Sequence, residues 1–192
     1  MMSDVAVVIL AGGEGRRIGG GKPLRTFGEE RLIDRALAHA RTWSDLVAIA
    51  VRNRAQVGAV AAGLIFDADV PGPLGGLISG LGFARDSGRE FVLAVPSDMP
   101  FLPVDLLHRL SAAIGDEGCA LAESGGEVHP VCGLWRSSDL ERAEDYAASG
   151  RRSLKGFAVQ LGFVATEWPA GPEDPFFNVN SSEDLAEAAR RS

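Results

Sequence analysis

The 192-residue sequence lacks the features that mark secreted, membrane-spanning and zinc-scaffold proteins. Its two cysteines, Cys119 and Cys132, have no zinc-like spacing and lie in or next to apolar segments, so we expect reduced core thiols. No apolar run approaches the roughly 18 residues that a spanning helix needs. The start of the chain has neither the basic segment nor the long apolar core of a secretory signal. These absences predict a cytoplasmic protein with no membrane partner.

Positive charge is also scarce. The sequence has 19 Lys and Arg residues against 26 Asp and Glu residues, which gives a formal net charge of −7. Such a balance argues against a general nucleic-acid binder. Because the overall field repels anions, any anionic substrate must be held by a local basic site. The length fits one domain with enough residues to bury a sizeable core.

Short strands and helices alternate along the chain. The continuous apolar runs Val5–Leu10 and Phe91–Val95 are typical of central parallel strands that are buried on both faces. This alternation predicts a three-layer α/β/α domain with a mostly parallel sheet, in which ligands bind beyond the carboxyl ends of the strands. Further strands are predicted over Leu46–Val51, Leu64–Phe66, Cys119–Glu123, Val128–Trp135 and Gly162–Glu167, and helices over Arg31–Arg41, Arg54–Ala62, Leu74–Ala84, Val104–Ile114, Ser138–Ala148 and after Ser181.

A glycine-rich basic loop follows the first strand. Six of the ten residues from Gly12 to Gly21 are glycine, and Arg16, Arg17 and Lys22 supply positive charge. Bare peptide N–H groups and basic side chains together favour phosphate binding. The loop has no Gly-Lys-Ser/Thr and no G-x-G-x-x-G that opens a helix, so a Walker loop and a dinucleotide fold are both disfavoured.

Carboxylates and amides follow other elements of the predicted sheet. Asp98 comes directly after a buried strand and lies between Pro96 and Pro100, which suits a rigid oxygen ligand for Mg²⁺. Asp67 follows the third strand, with Asp69 as a nearby alternative. Towards the end of the chain, Asn178 and Asn180 alternate along an extended segment and can share one side, while Asn180 can also be read as the flank of a helix.

Four separated motifs resemble the molybdenum cofactor guanylyltransferases, a branch of the Rossmann-like nucleotidyltransferases. They are L-A-G-G-x-x-x-R-x-G-G from Leu10, P-G-P-L-x-G-L from Pro71, the Pro-x-Asp-x-Pro around Asp98, and F-x-N-x-N-[ST]-x-E-[DE]-L from Phe176. The Gly-Gly after Leu-Ala favours the guanylyl branch over the related cytidylyltransferases. The sequence departs from the family where Gly21 directly precedes the lysine, with one spacer residue fewer.

The resemblance assigns roles to individual residues. Lys22, Arg16 and Asp98 are the expected catalytic residues, and Asp98 is the expected metal ligand. His129 starts a His-Pro pair that the family has before an apolar strand, which implies a place in the acceptor pocket with Asn178 and Asn180. The role of the basic cluster Arg151, Arg152 and Lys155 stays open between an acceptor-phosphate site and a solvated helix end. The residues expected to bind the nucleotide are Leu10, Ala11, Gly12, Gly13, Arg17, Lys22, Asn53, Asp67 and Asp98.

The implied reaction transfers GMP from Mg²⁺-bound GTP to the phosphate of molybdopterin. A related cytidylyltransferase or a sugar-phosphate nucleotidyltransferase is the nearest alternative, and a non-catalytic nucleotide-binding adaptor is the second. We expect one nucleotidyltransferase domain over residues 1–192, with a nucleotide-binding half of about 1–105 and an acceptor-binding half of about 106–192. Transient contacts with molybdoenzymes or their chaperones are a further expectation, as is a monomer or weak oligomer.

Overall fold

A computed structural model describes residues 4–13, 22–171 and 173–191. Its strands and helices alternate over most of the chain. The strands are β1 (Val5–Leu10), β2 (Thr26–Phe27), β3 (Glu30–Arg31), β4 (Val47–Val51), β5 (Gly63–Phe66), β6 (Phe91–Pro96), β7 (Cys119–Ser124), β8 (Glu127–Arg136) and β9 (Phe163–Trp168). The α-helices are α1 (Leu32–Trp43), α2 (Pro73–Asp86), α3 (Leu106–Ala113), α4 (Leu140–Ala148), α5 (Leu154–Leu161) and α6 (Ser182–Arg190).

The central sheet has seven strands in the order β5-β4-β1-β6-β8-β7-β9. All neighbouring pairs are parallel except the two that β8 makes with β6 and β7. β1 lies at the middle of the parallel part, where Leu10 is in register with Ala50 of β4 and Pro96 of β6. The predicted mostly parallel sheet is therefore confirmed, and the carboxyl ends of β5, β4, β1 and β6 lie side by side along one edge.

Helices cover both faces of the sheet because β1 alternates its buried side chains between two cores. Val7 and Ile9 join the core under α1 and α3, while Ala6 and Val8 join the core under α2, α4 and α5. A strand buried on both faces has no polar side to expose, which explains its continuous apolar run. A third, small core of Leu32, Val179 and Ala188 holds α6 against α1. The three-layer α/β/α prediction is confirmed.

The predicted helix over Arg54–Ala62 is wrong. The structure has a single 3-10 turn, Arg54–Gln56, and then an irregular path with Gly58 at a φ of +62°. Carbonyl groups of this stretch accept hydrogen bonds from arginines of α1 and its flank: Arg31 binds Ala59 O at 2.9 Å, and Arg41 binds Ala61 O. These carbonyls are thus satisfied by side chains, which replaces the ladder that a helix would supply.

Most predicted helices and strands are found with ends shifted by one or two residues, and one helix, α5, was not predicted. α3 begins at Leu106 rather than at Val104, and the carbonyl of Val104 accepts a hydrogen bond from the indole Nε1 of Trp43 at 3.0 Å. α5 was not predicted, because Gly156 and the basic residues before it hide its apolar face. Its N-cap is Ser153, whose Oγ accepts from the N–H of Gly156 at 3.1 Å.

Of the expectations from composition, the one for the cysteines is confirmed and the one for location is not tested. Both cysteines are free and buried, and burial raises the pKa of Cys119 to about 12, so the prediction of core thiols is confirmed. Within residues 4–13, 22–171 and 173–191, no helix is long and apolar enough to cross a membrane. The cytoplasmic location stays a prediction.

Candidate active site

A cleft lies at the carboxyl edge of the sheet, where the loops after β5, β4, β1 and β6 meet. It encloses about 190 Å³, and a neighbouring cavity of about 320 Å³ shares Arg52 and Asp67 with it. The cleft therefore lies where ligands bind in parallel α/β sheets. Its lining includes Leu10, Gly12, Gly13, Arg52, Asp67, Gly72, Pro73, Gly76, Pro96, Asp98, Val131 and Asn178.

Lys22 joins the glycine-rich loop to two distant parts of the chain. The buried Pro23 follows it in the 3-10 helix Lys22–Leu24, which fixes the point from which the lysine side chain extends. Its Nζ forms an ion pair with Asp98 and donates hydrogen bonds to the Oδ1 atoms of Asn178 at 3.2 Å and Asn180 at 2.7 Å. Carboxylate and amide oxygens thus surround one cation. Lys22, which was predicted as a basic residue of the phosphate loop, therefore lies beside Asp98, the predicted metal ligand.

Asp98 is held by backbone contacts on both sides. The N–H of Ser97 donates to the carbonyl of Leu10 at 3.3 Å, and the N–H of Val179 donates to the carbonyl of Asp98 at 2.9 Å. One carboxylate oxygen pairs with Lys22, while Oδ1 is buried and has no hydrogen-bond partner within the described part of the chain. A buried carboxylate oxygen is costly to leave unpaired. This atom therefore fits a hard cation such as Mg²⁺, which binds through one or two carboxylates together with substrate phosphates.

Asp67 closes the opposite side of the cleft against β1. Its N–H donates to the carbonyl of Val51 at 2.9 Å, which continues the β4–β5 ladder by one bond. A Cβ atom at Gly12 would lie 2.1 Å from Oδ2 of Asp67, so any side chain at this position would displace the carboxylate. Burial raises the pKa of Asp67, whereas the charge of Arg52 lowers it, and its buried Oδ1 has no partner among the described residues.

Asp69, the alternative to Asp67, lies just before the Pro-Gly-Pro turn. Gly72 has a φ of +84°, which favours glycine, and Pro73 begins α2. A Cβ atom at Gly75 would lie 2.6 Å from the carbonyl oxygen of Val70, so the turn folds tightly onto the helix. Asp69 is exposed and lines the neighbouring cavity, whereas the cleft itself is lined by Asp67.

The segment before α6 brings the two asparagines to the lysine. Val179, which lies between them, is 1% exposed and packs in the third core, so its neighbours face the other way. The alternative reading of Asn180 as a helix flank is also correct: its backbone N–H donates to Oδ2 of Asp184 at 2.8 Å, while its side chain accepts from Lys22. Ser181 caps α6, as the sequence predicted.

His129 lies behind this segment rather than on the lining of the cleft. Its ring stacks on Phe176 with centroids 4.8 Å apart, and its Nε2 is 2.8 Å from Oγ of Ser124. Ser124 also donates to Asp174 at 3.1 Å. Burial lowers the pKa of His129, although nearby carboxylates, Glu127 foremost, act in the opposite sense. The geometry makes His129 a support for the asparagine segment, and Val131, two residues on, reaches the cleft.

The remaining predicted residues divide into three groups. Leu10, Gly12 and Gly13 line the cleft, and the adjacent Ala11 is 2% exposed. Asn53 begins the 3-10 turn after β4, and its neighbour Arg52, which the sequence analysis did not single out, lines the cleft instead. Two predicted residues, Arg16 and Arg17, lie outside the described residues.

The basic cluster flanks α5. Arg151, Arg152 and Lys155 are all exposed around the N-terminus of this helix. The guanidinium of Arg151 lies 4.5 Å from the ring centroid of Tyr146, and its Nε donates to Oγ of Ser149 at 2.9 Å. This position agrees with the solvated-helix-end reading of the cluster.

Comparison with known proteins agrees with this geometry. The family model described as "MobA-like NTP transferase domain" matches residues 7–161 of this chain. The chain belongs to this family. Among its relatives, a molybdenum cofactor guanylyltransferase from Cereibacter sphaeroides is 37% identical over 190 residues, covering 94% of this chain and 93% of the relative. Another, from Rhodopseudomonas palustris (strain BisB5), is 39% identical over 194 residues, covering 95% and 91%.

Solved structures of this MobA-like fold superpose over nearly the whole chain. Molybdopterin-guanine dinucleotide biosynthesis protein A from Archaeoglobus fulgidus has a TM-score of 0.78 at 22% identity, with 97% of each chain covered. A CMP:2-keto-3-deoxy-manno-octonic acid synthetase, solved with CTP, has a TM-score of 0.75 at 13% identity, again with 97% of each chain covered. At these identities the likeness establishes the fold.

Proposed function

We propose that this chain transfers GMP from Mg²⁺-bound GTP to the phosphate of molybdopterin and releases pyrophosphate. The observation that carries the proposal is the contact between Lys22, at the end of the glycine-rich loop, and Asp98, at the end of β6. A cation and a carboxylate beside bare peptide groups are what a triphosphate with its metal requires. The relatives are molybdenum cofactor guanylyltransferases, which supports molybdopterin as the acceptor and guanine as the base.

The transfer needs positioning and charge compensation more than a nucleophile from the protein. A phosphate oxygen of the acceptor forms a bond to the α-phosphorus of GTP while the bond from that phosphorus to the bridging oxygen of the β-phosphate breaks. Both reactants are anions, so holding them together is the main task. Lys22 can turn from Asp98 to the phosphates and neutralise charge that develops during transfer.

Asp98 is the residue that would hold Mg²⁺, through the carboxylate oxygen that lacks a protein partner. A bound Mg²⁺ would polarise phosphate oxygens and stabilise the leaving pyrophosphate. Asp67 and the backbone of Leu10–Gly13 border the nucleotide side of the cleft. By resemblance, Arg16 and Arg17 would add contacts to the phosphates.

On the acceptor side, we assign Asn178 and Asn180 to molybdopterin. Amide groups both donate and accept hydrogen bonds without carrying charge, which suits a pterin and its phosphate. Both amide oxygens accept a hydrogen bond from Lys22. When the lysine turns to the nucleotide, these oxygens become available to the acceptor. His129 would act on the acceptor through Phe176 and the segment that carries the asparagines.

The test is a pyrophosphate-release assay with GTP, Mg²⁺ and molybdopterin, repeated with CTP. We expect release that depends on all three components and is much faster with GTP. Faster release with CTP would favour the cytidylyltransferase alternative. Nucleotide binding without release in the presence of a competent acceptor would favour the adaptor and refute the transferase.

A further inference from the structure

The strand order fixes the order in which the lining residues lie along the cleft. Asp98 follows β6, Gly12 follows β1, Arg52 follows β4 and Asp67 follows β5. These strands span three inter-strand spacings, about 14 Å in all. With the phosphates near Gly12, Gly13 and Asp98, a nucleotide laid along this edge places its base beyond β4 and β5.

Arg52 is the positively charged residue at that end of the cleft. It is exposed, it is the first residue after β4, and it lines both the cleft and the neighbouring cavity. Among the described residues that line either cavity, it is the one cation, and it shares the space with Asp67 and Asp69. A phosphate would be repelled by two carboxylates, whereas an uncharged base with both donors and acceptors suits a mixed site.

The backbone that carries Arg52 is fixed. Its N–H donates to Oε1 of Gln56 at 2.7 Å, and the N–H of Asn53 donates to the same oxygen at 3.2 Å. These two hydrogen bonds hold the end of β4 against the following 3-10 turn. The side chain of Arg52 therefore extends from an anchored position over the cleft, which is a condition for reading a base by geometry.

Guanine is the base whose edge matches an arginine. Its O6 and N7 are adjacent acceptors, and the planar guanidinium donates to both at once, whereas adenine carries a donor at the position of O6. We propose that Arg52 selects guanine by donating two hydrogen bonds to O6 and N7. This inference rests on the proposed function, since it names the residue that sets the nucleotide specificity of the same site.

The test compares binding of GTP and of 7-deaza-GTP, in which a C–H replaces the N7 acceptor, by calorimetry in the presence of Mg²⁺. The variants are Arg52→Gln and Arg52→Lys, and Arg54→Gln is the matched control, since Arg54 is an exposed arginine of the adjacent turn. We expect the unchanged protein and the control to bind 7-deaza-GTP about tenfold more weakly than GTP. In both Arg52 variants this ratio should fall below about twofold, and binding of ATP relative to GTP should improve.

Three results would overturn the inference. The first is an unchanged protein that binds both nucleotides equally. In the second, Arg52→Gln keeps both the affinity for GTP and the full 7-deaza penalty, which would assign N7 to another group. In the third, Arg52→Gln lowers the affinities for GTP and 7-deaza-GTP equally and the 7-deaza penalty stays. This result would show that Arg52 contacts a phosphate rather than the base. Pyrophosphate release by the unchanged protein with GTP and molybdopterin separates these failures from a failure of the proposed function.

Discussion

The two ends of the cleft satisfy their polar groups in different ways. At the β6 end, Lys22 contacts Asp98, Asn178 and Asn180, so opposite charges and amide oxygens meet within the protein. At the β5 end, Asp67 keeps a buried oxygen without a partner within the described residues, and burial raises its pKa. Oδ1 of Asp98 at the first end is also buried without a partner in the described part of the chain, so each end has a carboxylate oxygen that a ligand can satisfy, whereas the first end also pairs its carboxylate with a lysine. Substitutions at the two ends should therefore separate into effects on transfer and effects on binding and stability.

The largest effect should come from Asp98→Ala, which removes the carboxylate that we propose holds Mg²⁺ at the β6 end. We expect the rate of pyrophosphate release to fall about 100-fold or more, as on loss of a group that stabilises developing charge. Asp45→Ala, which alters an exposed aspartate paired with Arg89, should keep the normal rate. Near-normal release from a folded Asp98→Ala protein would contradict the assignment.

Lys22→Met should also slow transfer by about 100-fold, because the methionine keeps the length of the chain but loses the charge that neutralises the phosphates. Lys155 is the second lysine of the sequence and lies exposed on α5, so Lys155→Met is a matched control. We expect the control to stay within twofold. If Lys22→Met and Lys155→Met lower the transfer rate equally, the loss comes from the change in net charge and not from the position of Lys22.

Gly12→Ala tests how closely β1 approaches Asp67. The added Cβ would lie 2.1 Å from Oδ2 of Asp67, whereas a Cβ atom at Gly13 would meet nothing within 4 Å. Displacing the carboxylate costs about 1–3 kcal/mol, so we expect affinity for Mg²⁺-GTP to fall about tenfold. Calorimetric titration of Gly12→Ala beside Gly13→Ala measures the difference. Similar affinities in the two variants would contradict the proposed tight packing.

Asn180→Ala should act on the acceptor. The substitution removes one partner of Lys22 and one amide, a loss of about 1 kcal/mol for a typical hydrogen bond. We expect the KM for molybdopterin to rise about fivefold while the affinity for GTP stays within twofold. If the KM for molybdopterin and the affinity for GTP change equally, Asn180 contacts the nucleotide rather than the acceptor.

The smallest effect should be a gain in stability from Asp67→Asn at neutral pH. A carboxyl whose folded pKa is raised binds its proton more tightly in the folded state, so its ionisation destabilises the fold as pH rises above the ordinary value near 3.8. The amide removes this penalty. We expect the Tm at pH 7 to rise by about 2 °C, with the difference from the unchanged protein vanishing as pH falls below 4. A lower Tm at pH 7 would mean that the carboxylate makes a stabilising contact.

The sequence was sufficient to predict the parts of this site that depend on local patterns. Buried strands are continuous apolar runs, and the residues that directly follow them, such as Gly12, Asp67 and Asp98, must meet at one edge. The place of Arg52 was missed because a lone arginine after a strand has no local signal. The irregular path of residues 54–62 was missed because Arg31 and Arg41 satisfy its carbonyls from α1, and such tertiary contacts leave no pattern in the sequence. The role of His129 as a support likewise depends on Phe176, far along the chain.

The contacts of Lys22 have a consequence for how the protein becomes active during synthesis. The lysine and its asparagine partners are 156 and 158 residues apart in the sequence. A chain that has been synthesised only as far as β6 contains Lys22 but lacks both asparagines. Because contacts of such long separation carry a high loop-closure cost, we expect the contacts of Lys22 with Asn178 and Asn180 to form late in folding. A chain that terminated before Asn178 would keep all seven strands of the central sheet and lack both amide partners of Lys22.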